Sequence, residues 1–158
     1  MDTLTIFLTQ FFMSLLVYAY AAKWYVGPWL DKKPLYAALG LLILPHALRY
    51  IGLTFMVPNV GGEGLSTTFA ASAGYGDWLS AMLAIISLIA LRKHWRITLP
   101  LIWVFNVVGT LDLINALRQA EAVSYFRAAW FIPTFFVPLL LVSHFMVFSR
   151  LLRRRKAK

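Results

Sequence analysis

The stretch from Leu35 to Val57 reads LYAALGLLILPHALRYIGLTFMV. Its 23 residues are long enough to cross a bilayer, because a membrane helix needs about 20 predominantly apolar residues. Arg49 is the only charged residue in the stretch. A guanidinium in hydrocarbon is costly unless it reaches the interface or finds a partner. The stretch therefore predicts a membrane helix whose arginine has a partner on another helix.

The composition extends this prediction to the whole chain. Hydrophobic residues make up 61% of the 158 residues and charged residues 13%, whereas soluble domains are about 25% charged. There is no cysteine, which excludes disulfides and thiolate ligands. In a chain this apolar, the net charge of +9 indicates loop ends and anionic head groups rather than nucleic acid. The lipid bilayer is therefore the expected partner.

Four further apolar stretches accompany the first one. The five run over about residues 4–25, 35–57, 69–91, 97–117 and 129–148, with short polar connections. They predict an all-α integral membrane protein, with residues 1–158 as a single transmembrane domain of five helices. Asp2, without any basic residue, precedes the first stretch, which is unlike a secretory signal peptide, so we interpret that stretch as a true helix.

The basic residues predict an orientation for this bundle. Five helices place twelve of the fifteen on one side, leaving Arg118 and Arg127 opposite and Arg49 within the bilayer. The twelve are Lys23, Lys32, Lys33, Arg92, Lys93, Arg96, Arg150, Arg153, Arg154, Arg155, Lys156 and Lys158. The positive-inside rule then predicts an external N-terminus and a basic cytoplasmic tail over residues 150–158, in a plasma or inner membrane.

Three charges inside the apolar stretches are expected at one depth. A rise of about 1.5 Å per residue places Arg49 about 21 Å from the inner end of its helix. The same rise places Asp77 about 12 Å and Asp112 about 8 Å from the outer ends of theirs. We therefore predict an ion cluster in the outer half of the bilayer. Because one arginine cannot neutralise two aspartates, we expect one carboxylate to remain for a proton, a cation or a substrate amine.

Polar and aromatic neighbours extend the predicted cluster to a pocket. His46 shares a helical face with Arg49, and Asn115 shares one with Asp112. Small residues over 69–76 would let a neighbouring backbone approach closely beside Asp77. The predicted substrate-binding residues are Arg49, Asp77, Asp112, His46, Tyr50, Tyr75, Trp78 and Asn115.

The membrane histidines do not predict a cofactor. A bis-histidine haem needs both ligands at one iron. The helical rise places His46 about 17 Å from Leu35 and His144 about 6 Å from Phe148, at different depths. No ligand spacing typical of a metal site is present, so we predict neither haem nor metal. Asn106 points away from Asp112 and is expected to join its helix to another neighbour.

Three functional classes remain open from the residues alone. The preferred one is a site that binds or translocates a small molecule or ion. The second is a membrane-embedded enzyme acting on a lipid or isoprenoid, with an aspartate and His46 as acid and base. The third is a structural subunit of a membrane complex, which a dry and fully paired cluster would favour. A homo-oligomer is compatible with each of them.

Single cysteines test the predicted orientation in a chain that has none of its own. In intact cells we expect an impermeant maleimide to label Ser66→Cys and not Lys158→Cys, because three of the five predicted helices separate the two positions and an odd number places them on opposite sides. Labelling of both positions from the same side would contradict the five-helix topology.

Overall fold

A computed structural model describes the backbone of residues 1–156 and the side chains of residues 1–119 and 121–153. Over this range the chain is helical, without a strand. Five helices are long and apolar enough to cross a membrane, which confirms the predicted all-α class and the predicted number of such helices. They are α1 (Thr3–Asp31), α2 (Leu35–Met56), α3 (Thr67–Lys93), α4 (Thr98–Leu117) and α5 (Arg127–Arg153).

Two helices are longer than the sequence predicts. α1 continues past residue 25 to Asp31, and α5 continues past residue 148 through Arg153. The first part of the predicted tail therefore belongs to α5, while residues 157 and 158 lie outside the described residues. We call the end of the bundle where α1 begins the amino end, and the end that holds Asp31 and the α3–α4 connection the basic end.

α1 is capped at its start and widened near its end. The Asp2 carboxylate accepts a hydrogen bond from the Thr5 backbone N–H at 2.7 Å, and this bond lowers the pKa of Asp2. The turn over Ala22–Val26 is a π-helix, and the α-helix resumes over Gly27–Asp31. Pro28 lacks a backbone N–H and crowds the preceding turn, which is a physical reason for the wider turn there.

α2 changes its helix type halfway along. Leu35–Ile43 is α-helical, and Leu44–Met56 is a 3₁₀-helix of 13 residues, much longer than such helices usually are. A 3₁₀-helix has three residues per turn, so every third side chain lies in one straight row. The buried residues of this segment form such a row: His46, Arg49, Gly52 and Phe55.

The bundle has two apolar cores with a polar layer between them. The core at the amino end is rich in phenylalanine, including Phe55, Phe69 and Phe126. The core at the basic end is mainly aliphatic, including Leu39 and Ile102. On each of α2 to α5, buried polar residues lie between the two: His46, Arg49, Asp77, Ser80, Asn106, Ser143 and His144.

Candidate functional site

Arg49 is fully buried, and its guanidinium joins three helices. Nε donates to Asp77 Oδ1 at 2.7 Å, and Nη2 donates to Asp112 Oδ2 at 2.5 Å. Nη1 donates to the Gly109 carbonyl oxygen at 3.0 Å. The planar guanidinium fork suits such a divergent set of acceptors, which a lysine ammonium would engage less well. The predicted ion cluster is therefore present, with α2 bound to both α3 and α4.

The pairing of the two carboxylates differs from the prediction. We expected Arg49 to pair with one aspartate and leave the other free, but both lie within ion-pair distance of it. The fork reaches both because Asp77 and Asp112 approach from two different helices. One positive charge still faces two carboxylates, so the cluster carries a net negative charge whenever both are ionised.

Three glycines make room for the crossing side chains. A β-carbon at Gly52 of α2 would collide with the Asp77 carboxylate, and one at Gly76 of α3 would collide with the Asp112 carboxylate. A β-carbon at Gly109 of α4 would lie 2.8 Å from His144 Cε1 and 2.9 Å from Arg49 Nη1. Each helix thus lacks a side chain where a charged or polar side chain of its neighbour passes.

The sequence revealed only part of this glycine arrangement. The close approach expected beside Asp77 does occur: the Gly52 carbonyl oxygen of α2 would lie 3.5 Å from a β-carbon at Gly74, and the Asp112 side chain of α4 packs against Gly76. The roles of Gly52 and Gly109 were missed. Their spacing was an available signal, since each lies three residues from a charged membrane residue, Arg49 or Asp112.

His46 and His144 lie directly beneath this cluster and touch each other. Their ring centroids are 4.1 Å apart, and both residues are almost fully buried. His144 Nδ1 lies 2.7 Å from Asn106 Oδ1, and the Asn106 amide donates to the His144 carbonyl oxygen at 3.2 Å. Asn106 therefore joins α4 to another helix, as predicted. Neither ring nitrogen of His46 has a partner among the described residues.

The predicted difference in depth between the two histidines is wrong. α5 does not end at Phe148, so His144 lies deeper than that end implied. The two rings are in direct contact and leave no space for an iron between them. The expectation of no shared haem therefore depends on this contact and no longer on a difference in depth.

A cavity of about 90 Å³ lies above the charge cluster, toward the amino end. Asp77 and Asp112 line it, and their side chains are 12% and 16% exposed, whereas that of Arg49 is 0% exposed. The carboxylates therefore face the cavity and the guanidinium lies behind them. The other walls are mainly apolar and include Phe7, Phe55, Phe69, Leu113, Phe126 and Val137.

Four predicted pocket residues lie elsewhere. Tyr50, Tyr75 and Trp78 are 54%, 59% and 46% exposed on the outside of the bundle. Asn115 is also exposed, and its amide donates to the Ser72 hydroxyl at 3.3 Å. The expected lining by these residues is corrected. Tyr50 and Trp78 adjoin a buried charge in sequence and Tyr75 lies two residues from one, so each points about 100° or more away from that charge around its helix.

His46 and Arg49 are the fifth and sixth corrections to the predicted lining. Both are fully buried, and neither lines the cavity. Of the eight predicted residues, the structure brings Arg49, Asp77, Asp112 and His46 into one polar layer, and only the two aspartates reach the cavity.

A family model described as a domain of unknown function (DUF8737) matches residues 6–152 of the chain. The chain belongs to this family. The matched range includes the whole polar layer and all the residues that line the cavity except Leu4. No curated protein and no solved structure matches the chain.

Glycine substitutions test the geometry of the cluster. We expect Gly52→Ala and Gly76→Ala each to lower the free energy of unfolding by about 1–3 kcal/mol or more, because the new methyl group displaces a paired carboxylate. Gly40→Ala on α2 is the matched control, since its β-carbon would lie 3.9 Å from the nearest side-chain atom, Leu91 Cδ1. Unfolding of the detergent-solubilised protein in SDS gives the measurement. Equal effects at all three positions would contradict the described packing.

Substitutions of Arg49 test the ion pairs themselves. Arg49→Ala leaves the buried Asp77 carboxylate and the partly buried Asp112 carboxylate unpaired, and loss of one partner of a buried pair typically costs about 3–5 kcal/mol of stability. We expect Arg49→Lys to fall between Arg49→Ala and the unsubstituted protein, because an ammonium lacks the planar fork. Asp77→Asn and Asp112→Asn should both lower stability, since both aspartates are paired. Arg118→Ala, at an exposed arginine, serves as the control in the same SDS titration. Full stability of Arg49→Ala would argue against a buried cluster.

Proposed function

We propose that the chain is a multi-pass protein of a plasma or inner membrane that binds a small, positively charged molecule in the cavity at its amino end. The proposal places this end outside the cell. Its support is the distribution of basic residues, twelve of which lie at the basic end or in the tail against two at the amino end. Trp24, Trp29 and Trp95 also lie near the basic end, as an interfacial aromatic belt would.

The charge balance at the base of the cavity carries the proposal. Two carboxylates face the cavity, and one guanidinium lies behind them. A protonated amine would supply the missing positive charge and would contact Asp112, the more exposed of the two. The phenylalanine walls suit the apolar body of such a molecule, and aromatic faces also attract cations. The cavity of about 90 Å³ suits a molecule of only a few heavy atoms.

Translocation of this molecule is a further part of the proposal. The cavity ends at the polar layer, so passage would need that layer to rearrange. The long 3₁₀ segment of α2 is the element best suited to do so, because such segments often mark hinges. Its conversion to an α-helix would move His46 and Arg49 out of their common row, since α-helical residues three apart differ by about 60°.

The structure gives less support to a membrane-embedded enzyme. That hypothesis used an aspartate and His46 as acid and base, which requires both to face one substrate. The aspartates face the cavity, but His46 lies behind Arg49 and outside the cavity wall. No common space therefore connects the two groups.

A structural subunit remains the second candidate, and one observation favours it. Arg49 is fully buried and bonded to three groups on two other helices, as a packing device would be. This role accounts for the arginine. It does not account for a second carboxylate where one would neutralise the guanidinium.

Isobutylamine and isobutanol distinguish these candidates, because they have similar shapes and differ in charge at neutral pH. We expect saturation-transfer NMR of the detergent-solubilised protein to show binding of the amine and not of the alcohol. Asp112→Asn should weaken amine binding at least tenfold, while Glu63→Gln, at an exposed loop position, should leave it unchanged. Equal signals from amine and alcohol, or undiminished binding by Asp112→Asn, would favour the structural subunit instead.

A further inference from the structure

A second and larger cavity of about 700 Å³ lies between α1 and α5, toward the basic end. The buried residues of α1 are Phe7 and Phe11 near its start and Leu30 near its end, and between them Tyr18 packs edge-on against Phe135 of α5. No residue between Phe11 and Leu30 is buried. Small residues such as Ala19 and Gly27 line the gap, so no side chain from α1 fills it. The result is a groove that opens along the side of the bundle.

The α1 wall of the groove changes from apolar to cationic along its length. Leu15, Ala19 and Lys23 all line it, at intervals of four residues. Residues four apart lie on one helix face. The row therefore begins in the middle of the span with an aliphatic side chain and ends with an ammonium group near the basic end.

The α5 wall repeats this order. Leu141, Phe145, Ser149 and Arg153 line the groove, again at intervals of four residues. α1 and α5 both begin at the amino end, so the two rows run in the same direction. Their apolar parts face each other in the middle of the bundle, and each row carries its cation toward the basic end.

Positive charge exceeds negative charge at this end of the groove. Arg150 Nη2 lies 3.0 Å from Asp31 Oδ1 and donates to the Gly27 carbonyl oxygen at 3.3 Å, so this arginine is held in place. Arg153 Nη1 is 3.8 Å from the same carboxylate and its side chain is 72% exposed. Lys23 forms no ion pair with any described residue. One carboxylate thus faces three cations, which leaves two positive charges for a ligand.

Aromatic residues mark the level of Lys23. Tyr20 and Trp24 stack on the outside of α1 with ring centroids 4.6 Å apart. Trp24 and Tyr25 are 57% and 73% exposed. Exposed tryptophan and tyrosine side chains are typical of the membrane–water interface. Lys23 adjoins this cluster in sequence, so its ammonium lies where lipid phosphates would be.

We propose that this groove binds an anionic phospholipid. One acyl chain lies between the apolar rows of α1 and α5, and the phosphate contacts Lys23 and Arg153. The apolar wall suits the chain, and the two unmatched positive charges suit an anionic head group. A second parallel copy of the protein fits less well, because it would bring the same excess of positive charge to the interface. The site is separate from the amine cavity and does not depend on it.

Native mass spectrometry of the full-length protein tests the head-group contact. We expect phosphatidylglycerol to remain bound in preference to phosphatidylcholine with the same acyl chains. Lys23→Gln and Arg153→Gln should each weaken phosphatidylglycerol binding about fivefold, and the double variant about 30-fold, because each surface cation contributes about 1 kcal/mol to anionic-lipid binding. Lys93→Gln is the matched control, since Lys93 is exposed at the same end and does not line the groove.

A second pair of variants tests the acyl-chain contact without changing charge. Ala19→Phe fills the apolar part of the groove and should reduce lipid binding, whereas Val17→Phe, on an exposed face of α1 outside the groove, should not. The water-soluble head group glycerophosphoglycerol should not compete with the lipid. Effective competition by this head group would overturn the lipid assignment in favour of a simple phosphate site. If the Lys23 and Arg153 variants bind lipid as well as Lys93→Gln does, the groove is not the lipid site and the proposal is wrong.

Discussion

A buried guanidinium needs anionic partners, and this requirement organises the middle of the bundle. Arg49 has no exposed surface, and it bonds to Asp77, Asp112 and the Gly109 carbonyl group. A slide of one helical turn, about 5.4 Å, would separate every one of these pairs. The three bonds therefore specify the register of α2 against α3 and α4, which the apolar contacts of a membrane bundle specify only weakly.

The polar layer also depends on what surrounds it. Apolar cores lie on both sides, and the two carboxylates line the cavity at the amino end. Glycines at 52, 76 and 109 allow the charged side chains to cross between helices. The same packing gives the two carboxylates different surroundings from the arginine that pairs with them. The two carboxylates line the cavity, whereas the guanidinium does not. The ion cluster that joins the helices therefore also forms part of the proposed binding site.

Much of the fold could be predicted because membrane helices follow simple rules of length and composition. The five helices and the common level of Arg49, Asp77 and Asp112 came from apolar length and the rise per residue. The predicted depths of His46 and His144 were wrong because the depth of His144 was measured from Phe148. The composition gave no sign that α5 continues beyond that residue. α5 continues through a basic segment that reads as a tail, and His144 consequently meets His46.

The lining of the site could not be predicted in the same way. Tyr50, Tyr75 and Trp78 are close in sequence to buried charges, yet they lie on the outside of the bundle. Which side of a helix faces inward depends on how neighbouring helices pack and on the local helix type. The 3₁₀ segment that aligns His46, Arg49, Gly52 and Phe55 is one example, since an α-helix would have spread these four around its surface.

Composition and spacing were therefore sufficient to determine the number of helices and the approximate depth of the three cluster charges. Only the tertiary structure decided that both aspartates share one arginine, that glycines admit them and that α1 leaves a groove beside α5. The physical reason is that the depth of a residue is the rise per residue multiplied by its distance in sequence from the helix end, so one segment is enough to estimate it. Contact between side chains depends on the rotation and separation of two helices, which neither segment encodes alone.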